Sequence, residues 1–104
     1  MEPITLLVLA ALGGAATAGA VHIAVLTLPR VRAWFQARRF TLVHPDLVGT
    51  TIVDLMAGGS YRTVQGVFNT RTRQWVGQRA VESYQLGHDL AQLHRNQRIV
   101  IHHR

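Results

Sequence analysis

The chain has 104 residues, of which 48% are hydrophobic, 15% are charged and none is cysteine. This length excludes a multidomain enzyme, because at most one modest domain and one appendage fit. The lack of cysteine excludes a disulfide framework, a thiolate zinc site and a cysteine nucleophile. The formal net charge is +6, yet residues 1–29 carry only Glu2, whereas residues 30–104 contain all 11 arginines. We therefore predict two unlike parts.

The first part is an uncharged apolar run from Ile4 to Leu28. As a helix it would be roughly 37 Å long, enough to cross a hydrocarbon core of about 30 Å. We predict a single transmembrane helix over 1–29. The alternatives are a buried helix of a soluble protein and a cleaved signal peptide, with small residues suited to cleavage at 16–20. A signal peptide normally opens with positive charge, which this chain lacks.

The flanks of this segment predict its orientation. Four arginines follow the segment within a few residues, and no lysine or arginine precedes it. Basic flanks stay on the cytoplasmic side during insertion. We therefore predict a bacterial inner-membrane protein with its N-terminus outside and its C-terminal domain in the cytoplasm.

Small residues recur every four positions inside the predicted span, at Ala10, Gly14 and Ala18. Such a stripe lets two membrane helices approach closely, so it predicts helix packing and a homo-oligomer. The next position of the stripe is His22. An ionisable residue inside a membrane is a functional hypothesis by default, here proton or ion passage. The other interpretation is a neutral imidazole hydrogen-bonded near the end of the span.

Residues 30–40 have the pattern of a basic amphipathic helix next to the membrane, with Val31, Trp34 and Phe35 at i, i+3 and i+4. We predict that this segment lies in the headgroup layer, where arginine meets anionic lipid. Nucleic acid is the alternative partner for such a helix. The predicted lipid-interface residues are Arg30, Arg32, Trp34, Phe35, Arg38 and Arg39.

Residues 41–104 predict a small basic α+β domain. Apolar residues over 47–56 share one helical face, although their β-branched content leaves a strand as a rival. Residues 61–81 have the pattern of a β-hairpin, 86–93 that of a short helix and 99–101 that of a last strand. The predicted fold class is thus a single transmembrane α-helix followed by a small α+β domain of juxtamembrane helix, short helix, β-hairpin, short helix and C-terminal strand.

The sequence offers little catalytic or metal-binding chemistry. Six histidines occur, but no HxxxH or HExxH spacing is present, so we predict no metal site and no cofactor. No two carboxylates are spaced as a pair, and neither serine of the domain lies in a nucleophile elbow. We therefore predict no catalytic residues and expect that the protein is not an enzyme.

The best functional patch is a set of arginines interleaved with aromatic residues in the predicted hairpin. Such a face suits an anionic partner, because arginines hold phosphates and aromatic rings stack on bases. The other interpretation is that these arginines only solvate the outer face of a core. The predicted patch consists of Arg62, Arg71, Arg73 and Arg79.

These features together predict a single-pass, noncatalytic anchor, assembly or accessory subunit. Its expected partners are the lipid bilayer and a second copy or another protein, which the cytoplasmic domain recruits. The alternative is a membrane-tethered nucleic-acid-binding protein, as in DNA transfer or a mobile element. Salt separates the two functions, because nucleic-acid affinity falls steeply with ionic strength.

Overall fold

A five-stranded sheet organises the chain in the computed structural model, which describes residues 20–38 and 45–102. The strand order is β1-β4-β3-β2-β5; β1 runs parallel to β4, and the other neighbours are antiparallel. The elements in chain order are β1 (Ala20–Leu26), α1 (Leu28–Gln36), β2 (Leu47–Leu55), β3 (Tyr61–Asn69), β4 (Gln74–Leu86), α2 (His88–Leu93) and β5 (Ile99–His102).

The predicted transmembrane helix is wrong, because the end of the apolar run forms the strand β1. Alternating β-branched residues at Val21, Ile23 and Val25 favour a strand there, and hydropathy alone does not register that alternation. In the part of the chain that the structure describes, no helix has both the length and the apolar character needed to cross a bilayer. This finding overturns the prediction of an inner-membrane protein with its N-terminus outside.

The helix α1 begins at the junction that was predicted to end the membrane span. Thr27 caps it, with its Oγ1 accepting the backbone N–H of Arg30 at 3.4 Å. Pro29 lies in the first turn, where a helix does not need its missing N–H. Leu26 before the cap and Val31 after it are buried in the same core. The residues on both sides of position 29 therefore pack together.

The predicted helix over 47–56 is also wrong, since these residues form β2. This strand is central, paired with β3 on one side and β5 on the other. Its side chains are buried on both faces of the sheet, for example Thr51 on one and Ile52 on the other. A strand buried on both faces loses the alternation of apolar and polar residues that would distinguish it from a helix.

The hairpin of β3 and β4 turns at residues 70–73, where the Asn69 side chain accepts the backbone N–H groups of Arg71 and Thr72. A bulge shifts the register between Val67 and Phe68, so that Phe68 lies opposite Trp75. Trp75 and Val81 are six residues apart, a spacing that would put both side chains on one face of a regular strand. The bulge adds one residue between them and places them on opposite faces.

Two hydrophobic cores lie on the two faces of the sheet. The helices pack on the first face, where the Phe35 ring lies so close to Gly49 that a β-carbon there would come within 2.9 Å of it. The fold is thus a small sheet-dominated domain with two short helices. The first core contains Leu26, Leu28, Val31, Phe35, Leu47, Val67, Val81 and Leu90. The second core contains Ile52, Val64, Phe68 and Ala80.

Candidate anion-binding site

Two arginines lie over one tryptophan on the helical face of the sheet, and a third arginine adjoins them. The Cζ atom of Arg38 lies 3.8 Å from the centroid of the Trp34 ring, and that of Arg79 lies 5.8 Å from it. Arg30 joins them, because its carbonyl oxygen accepts Nη2 of Arg79 at 3.4 Å. We call Arg30, Arg38 and Arg79 the arginine cluster. It joins the start and the end of α1 to the middle of β4.

Gln65 of β3 holds the cluster in place. It is completely buried, and its Oε1 accepts Nε of Arg79 at 2.9 Å. Its Nε2 donates to the carbonyl oxygen of Val31 in α1 at 2.5 Å. One amide therefore connects the sheet, the helix and the guanidinium group. Arg38 is held separately, with Nη1 donating to the carbonyl oxygen of Trp34 at 3.2 Å.

The charges of the cluster repel one another. Partial burial, and then the positive charges of Arg38 and Arg30, lower the pKa of Arg79 below its ordinary value. An arginine stays charged in spite of such a shift, so the repulsion remains in the folded state. Within residues 20–38 and 45–102, none of the three arginines forms an ion pair. A bound anion would relieve this repulsion.

The structure divides the predicted arginine patch. Arg79 belongs to the cluster, whereas Arg62 lies on the opposite face and pairs with Glu82. Arg71 and Arg73 are exposed in the hairpin turn. Arg62 and Arg79 lie on opposite faces of the sheet because alternate residues of a strand face opposite sides. Arg62 is paired with Glu82, whereas Arg79 is paired with Gln65 on the helical face.

The predicted lipid-interface residues also separate. Arg30, Trp34 and Arg38 contribute to the cluster, and Arg32 is exposed on α1. Phe35 is buried against the sheet, next to the ring of His102. Arg39 lies outside the described residues, as do the predicted helix-packing residues Ala10, Gly14 and Ala18.

A row of ionisable side chains crosses the other face of the sheet. His22, which was predicted inside a membrane, lies in β1 with 75% of its side chain exposed and directly opposite Glu82 of β4. Glu82 is opposite Arg62, which is opposite Asp54 of β2. Arg98 closes the row with two hydrogen bonds to Asp54, of 2.6 and 3.0 Å.

A half-open cavity of about 410 Å³ lies at one end of this row. His22 and Glu82 contribute to its lining, together with Ser60 and Tyr84. The Glu82 carboxylate is already engaged, by His22 at 3.3 Å and Arg62 at 3.5 Å. In the described ranges no three histidine or carboxylate side chains converge as metal ligands.

Sequence reasoning did not find Gln65, the residue that positions the cluster. A neutral glutamine inside a strand carries no functional signal, and only its place between apolar neighbours indicated burial. Sequence reasoning also did not predict that Arg79 lies beside the arginines of α1, because that contact depends on long-range packing. Comparison of the chain with models of known families, with curated proteins and with solved structures gave no match.

Proposed function

We propose that this protein is a noncatalytic domain that binds the phosphodiester backbone of a nucleic acid through the arginine cluster. The observation that carries the proposal is that Arg38 and Arg79 lie over one ring with Arg30 beside them, and that none of the three has an ion-pair partner among the described residues. A guanidinium group matches two phosphate oxygens with two parallel hydrogen bonds. Several such groups on one surface supply the affinity of most sequence-independent nucleic-acid binding.

Trp34 supports contact with the backbone rather than with the bases. Its ring is half-buried, and the guanidinium group of Arg38 already lies on it at 3.8 Å. A base would have to displace Arg38 before it could stack there. Contacts to phosphates position a protein on nucleic acid but do not read sequence. We therefore expect weak dependence on base sequence.

Fluorescence anisotropy with a short fluorescein-labelled DNA, single-stranded and duplex, tests the proposal. We expect the logarithm of the association constant to fall linearly with the logarithm of salt concentration, with a slope of about −0.7 to −0.9 per phosphate contacted. An interface that is mainly apolar would keep its affinity as salt rises. Failure of both DNAs to bind at low salt would refute the proposal.

Charge-neutralising variants locate the site. The double variant R38Q/R79Q removes two guanidinium groups, and we expect it to lower affinity at least about tenfold and to reduce the salt slope by about 2. The matched control is R95Q/R71Q, which removes the same net charge from two exposed arginines outside the cluster. Equal losses in the two double variants would show that net charge, rather than the cluster, attracts the DNA.

A further inference from the structure

We infer that two copies of this chain pair antiparallel through β1, so that their sheets join into one. This inference does not rest on nucleic-acid binding. The partner is a second copy of the same chain, because the residues of β1 complement themselves. The argument depends on the position of β1 in the sheet, on its exposed side chains and on the order of its residues.

The strand β1 is an edge of the sheet. Of the described strands, only β4 pairs with it. Val21 is 55% exposed and Val25 37% exposed, so apolar side chains face water along this edge. Residues 20–26 contain neither proline nor a residue with a formal charge. Natural proteins normally protect an edge strand with such residues, or by keeping it short, because its free backbone groups are ready to pair.

The opposite edge of the sheet is protected. β5 has only four residues, and each of them is half-buried. It offers fewer free backbone groups than the seven residues of β1. The contrast indicates that the exposure of β1 is a specific property of that edge.

Val21 and Val25 lie at equal distances on either side of Ile23 in β1. In an antiparallel pair centred there, Ile23 of each copy lies opposite the partner's Ile23, and Val21 lies opposite the partner's Val25. Directly opposed β-branched residues stabilise a strand pair. His22 lies opposite the partner's Ala24, so a large side chain meets a small one. A two-fold axis repeats each of these contacts, as a symmetric dimer requires.

The surface beside β1 extends the apolar edge. Tyr84 of β4 is 78% exposed, and it lines the half-open cavity together with His22 and Ala24. A second copy paired along β1 would lie against this cavity and cover apolar surface beyond the strand itself. The described residues of one chain enclose this cavity only partly.

Sedimentation equilibrium of the full chain, in buffer free of nucleic acid, tests the dimer. We expect a monomer–dimer equilibrium, and we expect V25K to raise the dimer dissociation constant at least about tenfold, since a charge would be buried opposite the partner's Val21. The control V76K places the same charge at an exposed valine of the β4 bulge and should leave the equilibrium unchanged. A wild-type chain that stays monomeric at all concentrations would overturn the inference.

Engineered cysteines test the register, and the chain contains no cysteine that would interfere. In the proposed pair, V21C faces the partner's position 25, at a separation of about 4.5–5.5 Å between β-carbons. We expect V21C/V25C to form a disulfide-linked dimer with oxidised glutathione. Within one chain these positions are about 13 Å apart, too far to link. V21C alone and V76C should stay unlinked, and equal linking of V76C would refute the register. Neither the sedimentation experiment nor the cross-linking experiment depends on DNA binding, so failure of the proposed function would leave both results unchanged.

Discussion

The Glu82 carboxylate lies 3.3 Å from Nδ1 of His22, directly across from it in the register of β1 and β4. The same carboxylate lies 3.5 Å from Arg62 on its other side. This contact ties the edge strand to the interior of the sheet. It also explains why an ionisable residue lies in an otherwise apolar run: His22 faces a carboxylate on the sheet surface.

Removing the central charge of this row is expected to destabilise the fold. In E82Q both His22 and Arg62 lose their carboxylate partner, and we expect the free energy of unfolding to fall by about 1 kcal/mol, since Glu82 and Arg62 are only partly exposed. H22Q should cost less, because the His22 side chain is mostly exposed. Urea titration measures both. A larger loss for H22Q than for E82Q would contradict this account.

Two glycines in the hairpin differ in the space around them. A β-carbon at Gly66 would come within 2.7 Å of the Trp75 ring and 2.9 Å of the carbonyl oxygen of Gly77, whereas one at Gly77 would meet nothing within 4 Å. Neither has a positive φ. We expect G66A to lower the free energy of unfolding by about 2 kcal/mol through overpacking, and G77A to change it by less than about 0.5 kcal/mol. Thermal unfolding of the two variants decides, and equal effects would refute the close contact.

Buried polar groups with and without partners should respond in opposite ways. Q65M removes the hydrogen bonds of the Gln65 amide to Val31 and Arg79, and we expect a loss of about 1–3 kcal/mol. Thr63 on the same strand is also buried, but its hydroxyl has no hydrogen-bond partner within the described part of the structure. T63V should therefore be neutral or stabilising. Denaturant titration measures the free energy of unfolding of both variants. A lower value for T63V than for Q65M would contradict this prediction.

Acid is expected to destabilise the fold through His94. Burial lowers the pKa of His94 below its ordinary value. Its Nδ1 donates to the carbonyl oxygen of Gln97 at 3.1 Å, while Nε2 is buried without a partner among the described residues. Protonation would put a proton on that Nε2, so the unfolded chain binds the proton more readily than the folded one. This contribution to stability is complete above about pH 6.5 and is lost as pH falls toward the lowered pKa.

The variant H94N tests that pH dependence. Its side-chain amide keeps a donor for the carbonyl oxygen of Gln97 but does not titrate. We expect the unfolding midpoint of the wild type to fall more steeply than that of H94N between about pH 7 and pH 5.5. Other groups titrate equally in both proteins, so the difference reports His94. Parallel curves would show that His94 does not link protons to folding.

Local sequence signals were sufficient for several elements. The polar turn after Asn69 and the β-branched runs around it predicted the hairpin of β3 and β4. Apolar spacing predicted the short helices near 30–40 and 86–93. These predictions depend on neighbours along the chain, which the sequence displays directly. The same local analysis failed at β1 and β2. The alternation of β-branched residues in β1 does not show in the hydropathy of a long uncharged run, and β2 is buried on both faces, so it lacks an alternation of apolar and polar residues.

The sequence by itself determined that this protein is basic, that its basic charge is carried entirely by arginine after position 29, and that a hairpin occupies its middle. The tertiary structure alone decided what those arginines do. Arg79 meets Trp34 and Arg38 because Gln65 holds the sheet against α1, while Arg62 faces the other side and is neutralised by Glu82. Which strands are central and which charged side chains come together follow from long-range pairing, and no window of neighbouring residues contains that information.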